Sequence, residues 1–413
     1  MRAHILGLLA FLFCGGSFSI APRASHAVEP AKIESYLREG KLADGARDLQ
    51  AALLADPRDE RARMGLGVVQ FLRGVEQLAQ SLHRHGIHSN RMQNLPFIRI
   101  PVPPNDRPEP LTYAQARQML IDFQSSLAQA DATLSGIQDQ SFKLPLRLME
   151  TRLDVDGDGK IALIDDKGFS YERLGHLAQR LFRDFPQEKQ IDLDYADALW
   201  LRGYCHLLLG LSDILLAHDG QDMFNVAAHL FVAKPVTPYQ FLVDEKPRTE
   251  WFSDISDIIA TIHMFRLPVS EPKRLESALA HWEQMFALSR EQVRGLQAET
   301  DREQEWIPNP QQVGWQGARV TKEQFNGWLD FVTEMEGVLA GKKLLPFWRG
   351  DKPQGVNLRR VFLEPRTLDP VLWFQGTAAA PYLEEGTLVD TNLLNRLQQT
   401  FRGDFFGFAL WVN

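Results

Sequence analysis

Apolar residues recur at helical spacing over most of this chain. Leu111 to Ile137 carries Met119, Leu120, Phe123, Leu127 and Leu134 on one side, which predicts a helix. Tyr171 to Phe182 repeats the pattern with Leu174, Leu177 and Leu181. Leu193 to Ala217 is apolar on most faces, with Trp200, Leu201, Tyr204, Leu207, Leu208, Leu211 and Leu215, and is expected at the centre of the fold. Met223 to Phe231 and Ile255 to Met264 predict shorter helices around it. Ser270 to Gln297 is a long helix with Pro272 in its first turn and Leu275, Leu279, Trp282, Met285 and Phe286 on one face. Thr321-Lys-Glu-Gln324 reads as a capping box opening a further helix with Phe325, Trp328, Leu329, Val332 and Leu339.

The interruptions set the organisation. Asn94 to Pro110 holds six prolines, which exclude helix and predict an extended linker or surface strap. Asp301 to Gly317 has no apolar period and reads as a polar loop. From Leu344 onward prolines and aromatic residues alternate in short irregular pieces. The expected layout is a leader at 1–27, helical hairpins at 28–93, a Pro-rich linker at 94–110, a central helical region at 111–300 and a C-terminal region at 301–413. The fold class expected is mostly α, a helical array.

The leader reads as a secretory signal peptide. Arg2 is the basic start, Ile5 to Phe13 is a short apolar run, and Ser25-His26-Ala27 offers small residues for cleavage before Val28. The run is too short to span a bilayer, and no membrane span is expected elsewhere. A periplasmic or secreted protein follows. Cleavage would remove Arg2 and Arg23 and no acid, which takes the net charge from −8 to −10. An acidic chain disfavours nucleic acid and anionic lipid as partners. Cys205 alone would remain, within an apolar run, so no internal disulfide forms and the thiol is expected buried.

Residues Ala31 to Gly86 resemble tetratricopeptide repeats. Gly40, Gly45, Leu49, Ala52 and Pro57 match one repeat, and Leu66, Gly67, Gly74 and Ala79 the next. The match covers about a repeat and a half, so the resemblance implies a helical hairpin packed on the rest. An αα-hairpin with the same small-residue spacing is the alternative.

The most specific chemistry lies in Asp154-Val-Asp-Gly-Asp-Gly-Lys-Ile-Ala-Leu-Ile-Asp165. Alternating Asp154, Asp156 and Asp158, followed by Gly159, crowd three carboxylates that repel unless a cation lies among them. The stretch resembles a single EF-hand or dockerin-like calcium loop. That resemblance implies ligands from Asp154, Asp156 and Asp158, the backbone carbonyl of Lys160, and Asp165, with Asp166 as a competitor for the last. Ala162 stands at a ligand position and leaves it to water. Pro145 interrupts the segment before the loop, where the family has a helix.

A second group of residues is a scatter: His206, Asp213, His218, Asp219, His229, Asp254, Asp257 and His263. Such residues serve metal binding or acid–base work if they converge, and helix ends or satisfied core histidines if they do not. His83, His85 and His88 form a smaller group at a helix end. No nucleophile elbow, phosphate loop or dinucleotide turn is present. The function expected is an exported calcium-binding helical protein with a structural ion, acting in protein–protein or envelope interactions. The alternative is a periplasmic hydrolase using His206, His229, Asp254, Asp257 and His263.

Overall fold

The computed structural model describes residues 28–87, 102–159, 162–163, 190–244, 250–300, 305–314, 319–349, 354–390, 392–403 and 405–412. The protein is mostly α-helical. Residues 1–27, expected as a leader, and Tyr171 to Phe182 lie outside the described residues.

Three helices open the chain: α1 (Pro30–Arg38), α2 (Leu42–Ala55) and α3 (Glu60–Arg84). Pro30 sits in the first turn of α1, where its missing N–H costs nothing. Asp59 caps α3 by accepting from the Ala62 N–H. The small residues mark close approaches. A methyl group on Gly45 would meet the Tyr36 ring at 2.9 Å, and one on Gly67 would meet Leu134 at 2.4 Å.

Helix α4 (Tyr113–Leu134) begins in a full capping box, Thr112 with Gln115. Helix α5 (Tyr195–Leu216) begins in another, Asp194 with Asp197. Then come α6 (Gln221–Ala227), α7 (Phe241–Asp244), α8 (Glu250–Met264) and α9 (Pro272–Ala298). Helix α10 (Lys322–Leu339) starts at the expected capping box, Thr321 with Gln324. The tail holds α11 (Leu358–Leu363), α12 (Pro370–Gln375), α13 (Leu393–Thr400) and α14 (Phe405–Val412).

The long helices lean on one another in series: α2 on α3, α3 on α4, α4 on α5, α5 on α9, and α9 on α10. The α5–α9 contact is the most extensive. Two apolar clusters meet at α5. Ala198 and Leu201 join the N-terminal cluster, Ala196 and Ala217 join the C-terminal one, and Trp200 packs against both. Among the described residues α5 is the one helix long and apolar enough to cross a membrane by length and composition; half of that stretch is buried inside the fold.

Strands are short. β1 (Leu144–Leu146) pairs antiparallel with β4 (Ile191–Leu193), and β2 (Arg152–Leu153) with β3 (Ala162–Leu163). β5 (Leu345–Pro346), β6 (Gln354–Val356) and β7 (Leu383–Glu385) form a small antiparallel sheet in that order. Two loops differ from their polar appearance. Val102, in the Pro-rich stretch, is buried beside Ala79 and Leu82, so its described part is a strap held on α3. Residues 305–314 are partly internal: Glu305, Asn309 and Gln312 are buried beside the core residue Ile307, while Pro310, Gln311 and Val313 are exposed. Asn309 Nδ2 donates to the Leu296 carbonyl and satisfies the end of α9.

Candidate metal centre and the charged seams

The acidic loop is tied at both ends. Leu153 pairs with Ala162 across β2 and β3, so the chain between them forms the loop of a hairpin. Leu153 is buried and Val155 packs on the core. Helix α3 grips the first aspartate's backbone: the Asp154 N–H donates to Glu76 Oε1 at 2.8 Å, and Gln80 Nε2 donates to the Asp154 carbonyl at 2.7 Å.

Inside the loop the carboxylates organise the turn. Asp154 Oδ1 accepts from the Gly157 N–H at 2.8 Å, and its Oδ2 accepts from the Gly159 N–H at 3.2 Å. Gly157 and Gly159 both have φ +74°, a conformation a side chain would strain. The result brings one oxygen each of Asp154, Asp156 and Asp158 within 4.8 Å of one another. Three hard oxygen donors at one point, with a backbone that curls around them, fit calcium chemistry. Lys160, Asp165 and Asp166 lie outside the described residues. The segment entering the loop is a 3₁₀ turn (Leu148–Glu150) and a strand rather than a helix. Burial pushes the Glu76 carboxyl above its usual range; the Asp154 N–H opposes that, and the Asp154 carboxylate adds to it.

The histidine–aspartate scatter resolves into separate contacts. His206 on α5 meets His281 on α9, with Nδ1 to Nδ1 at 2.8 Å. The ring centroids are 5.0 Å apart, so the two nitrogens face each other nearly head-on rather than converging on a third point. That is the geometry of a shared proton, one N–H facing one lone pair. Asp131 on α4 takes His206 Nε2 at 3.5 Å and Arg202 at 2.8 Å. Asp213 takes Arg274 at 2.9 Å, Gln124 at 2.8 Å and His281 at 3.9 Å. Burial alone would raise Asp131; the bonds from His206 and Arg202 outweigh it and hold that carboxyl low. Burial depresses His281, and the neighbouring His206 adds to the effect.

His229 instead pairs with Asp257 of α8 at 3.3 Å. The His218 Nδ1, just past α5, is 2.7 Å from the Ile214 carbonyl of that helix. Asp219 Oδ1 accepts from the Gln221 N–H, His263 is exposed at the end of α8, and the side chain of Asp254 is outside the described set. His85 is buried with Nδ1 3.3 Å from the Glu109 carbonyl, and His88 is not among the described residues. Thus His281 and Asp131, absent from the sequence-derived group, are the partners that His206 uses. Nothing in the one-dimensional spacing links them, since His206 and His281 are 75 positions apart.

A buried acidic cluster also escapes sequence reasoning. Asp194, Glu299 and Glu305 each place an oxygen within 4.8 Å of the others. Lys143 Nζ lies 3.0 Å from Asp194 and 3.4 Å from Glu305, so an ammonium already supplies positive charge here. Asp197 adds a fourth carboxyl, accepting from the Asp194 N–H. Burial, then the neighbouring Asp194 and Glu305, push Asp197 well above the usual range. Burial and Asp194 push Glu299 up to about 8. These groups join the start of α5 to the end of α9.

The chain matches no protein-family model, and comparison with curated proteins and with solved structures finds no match.

Proposed function

We propose that this is an exported calcium-binding helical protein, whose ion is structural and whose work is contact with another protein, in the envelope or outside the cell. The observation that carries the reading is the convergence of Asp154, Asp156 and Asp158 in a loop gripped by α3. The likeness to an EF-hand or dockerin-like loop supplies the ion's identity, and Lys160 and Asp165 complete the proposed ligand set. Calcium there supplies charge neutralisation: it cancels carboxylate repulsion and locks the hairpin against the third helix. A loop with no partner loop in the chain suits a fixed ion better than a switch. The basic start, apolar run and small-residue cleavage site support export. The tetratricopeptide-like spacing of the first helices supports a binding role.

The hydrolase reading has less support. His206 is committed to His281 and Asp131, and His229 to Asp257, in contacts between helices. Calorimetric titration of calcium into the stripped protein tests the ion. A pull-down from envelope extract, with calcium and with chelator, tests the partner. Heat of binding and calcium-dependent capture are expected; absence of any heat at millimolar calcium removes the reading.

A further inference from the structure

A cavity of about 530 Å³ opens where the end of α5 and the start of α9 meet the C-terminal pieces. That volume lies within the range of sites for small organic ligands. Its walls are aromatic. Trp282 of α9 stands edge-on to Phe362 of α11, with centroids 5.5 Å apart. Trp373 of α12 lies parallel to Tyr382, at 6.0 Å and 8°. Such faces favour a flat or extended apolar body.

The charged groups around the cavity are unequal. Asp369 is occupied as the cap of α12, accepting from the Leu372 N–H. His218 faces the end of α5 through Nδ1. Arg266 and Arg366 also line the cavity from exposed positions, and the Arg366 charge also acts on the neighbouring Glu364 carboxyl. Two backbone bonds between Leu267 and Leu368, at 2.8 and 2.9 Å, hold the two arginine-bearing segments side by side. An uncharged apolar ligand would use the walls and leave both guanidiniums to water. An anion uses both, because guanidinium pairs with carboxylate or sulfonate oxygens through paired N–H donors.

We propose that this cavity binds a small amphipathic organic anion. Its apolar body lies between Trp282, Phe362, Trp373 and Tyr382, and its acid group lies at Arg266 and Arg366. The proposal is independent of the calcium loop.

Isothermal titration of the full protein with 2-naphthoate tests it, with decanoate as the alkyl alternative and 2-naphthalenemethanol as the neutral control. One saturable site is expected for at least one of the two acids, at least tenfold weaker for the alcohol. Which acid binds distinguishes an aryl from an alkyl source. Arg366→Ala, at an exposed position, should weaken the acid at least tenfold. Ala378→Trp fills the cavity and should abolish binding while melting confirms that the variant is folded. Ile258→Ser, on the exposed apolar face of α8, should leave binding unchanged. No saturable binding of either acid overturns the proposal. So does an alcohol that binds as well as the acid, or an Arg366→Ala variant that binds like the parent.

Discussion

Gly67 of α3 lies so close to Leu134 of α4 that a Cβ built on the glycine would meet Leu134 Cδ2 at 2.4 Å. Real Cβ atoms do not approach carbon so closely, so the contact between α3 and α4 is possible only because position 67 has no side chain. Gly67→Ala should therefore destabilise by about 1–3 kcal/mol through overpacking. Thermal or urea melting measures it. Leu134→Ala in the same chain should recover part of the loss, since the clash is with that side chain; an unchanged melting temperature for Gly67→Ala would remove the contact.

Calcium removal should lower the melting temperature. Binding to the folded state alone stabilises by about 2.7 kcal/mol at roughly 100 times the dissociation constant. Asp156→Ala should lose that increment and become insensitive to chelator. Magnesium should substitute poorly, because it prefers strict octahedral geometry and keeps its water. The calcium effect should fade in acid as the carboxylates protonate.

Glu299 and Asp197 should set the alkaline side of stability. Both carboxyls are raised in the fold, Glu299 to about 8. The folded state then holds protons that the unfolded chain has released. Their contribution is full below the ordinary carboxyl range and is lost as pH rises towards about 8. Urea melts at pH 5, 7 and 9 should show stability declining, and Glu299→Gln should flatten the decline by keeping a neutral group in place. The facing groups are Asp194, Glu305 and Lys143, so Lys143→Met should steepen it.

His281 should act on the acid side. His281 is depressed in the fold, so the unfolded chain takes up its proton first. Stability is full above the ordinary histidine range and falls as pH drops through it towards the lower folded value. Groups facing His281 and its partner His206 are Asp131, Asp213, Arg202 and Arg274. His281→Asn should reduce the loss between pH 7 and pH 5, read by the same melts. An equal loss in the variant would assign the acid sensitivity to other groups.

Cys205 is fully buried, and burial raises its thiol far above the ordinary range. A thiolate reagent at pH 8 should label it only after denaturant is added. Labelling of the native protein within minutes would show the α4–α5 contact opening.

Local patterns made much of the fold legible. The apolar period located α4, α5, α9 and α10 to within a few residues, and Thr321 with Gln324 marked the start of α10 because a capping box is written within four positions. The same box at Thr112 and at Asp194 is equally local. The acidic turn at Asp154 to Gly159 was legible for the same reason. What the sequence hid depends on long separations. Lys143 and Glu305 meet across 162 positions, and His206 finds His281 only because α5 lies along α9. Residues 305–314 looked solvated because polar residues usually face water. Here Asn309 and Gln312 are internal because they satisfy backbone and carboxyl groups at the end of α9.

Because α5 supplies a wall to both apolar clusters, the first three helices cannot close their core alone. Their inner faces, Val69 among them, wait for Leu193, Ala198 and Leu201. On a ribosome adding about 5–20 residues per second, that wait is on the order of ten seconds. For that interval the newly made chain presents an open greasy face to whatever surrounds it. A chaperone that shields such faces should therefore hold the chain until Leu201 can reach them, which for an exported chain is after translocation.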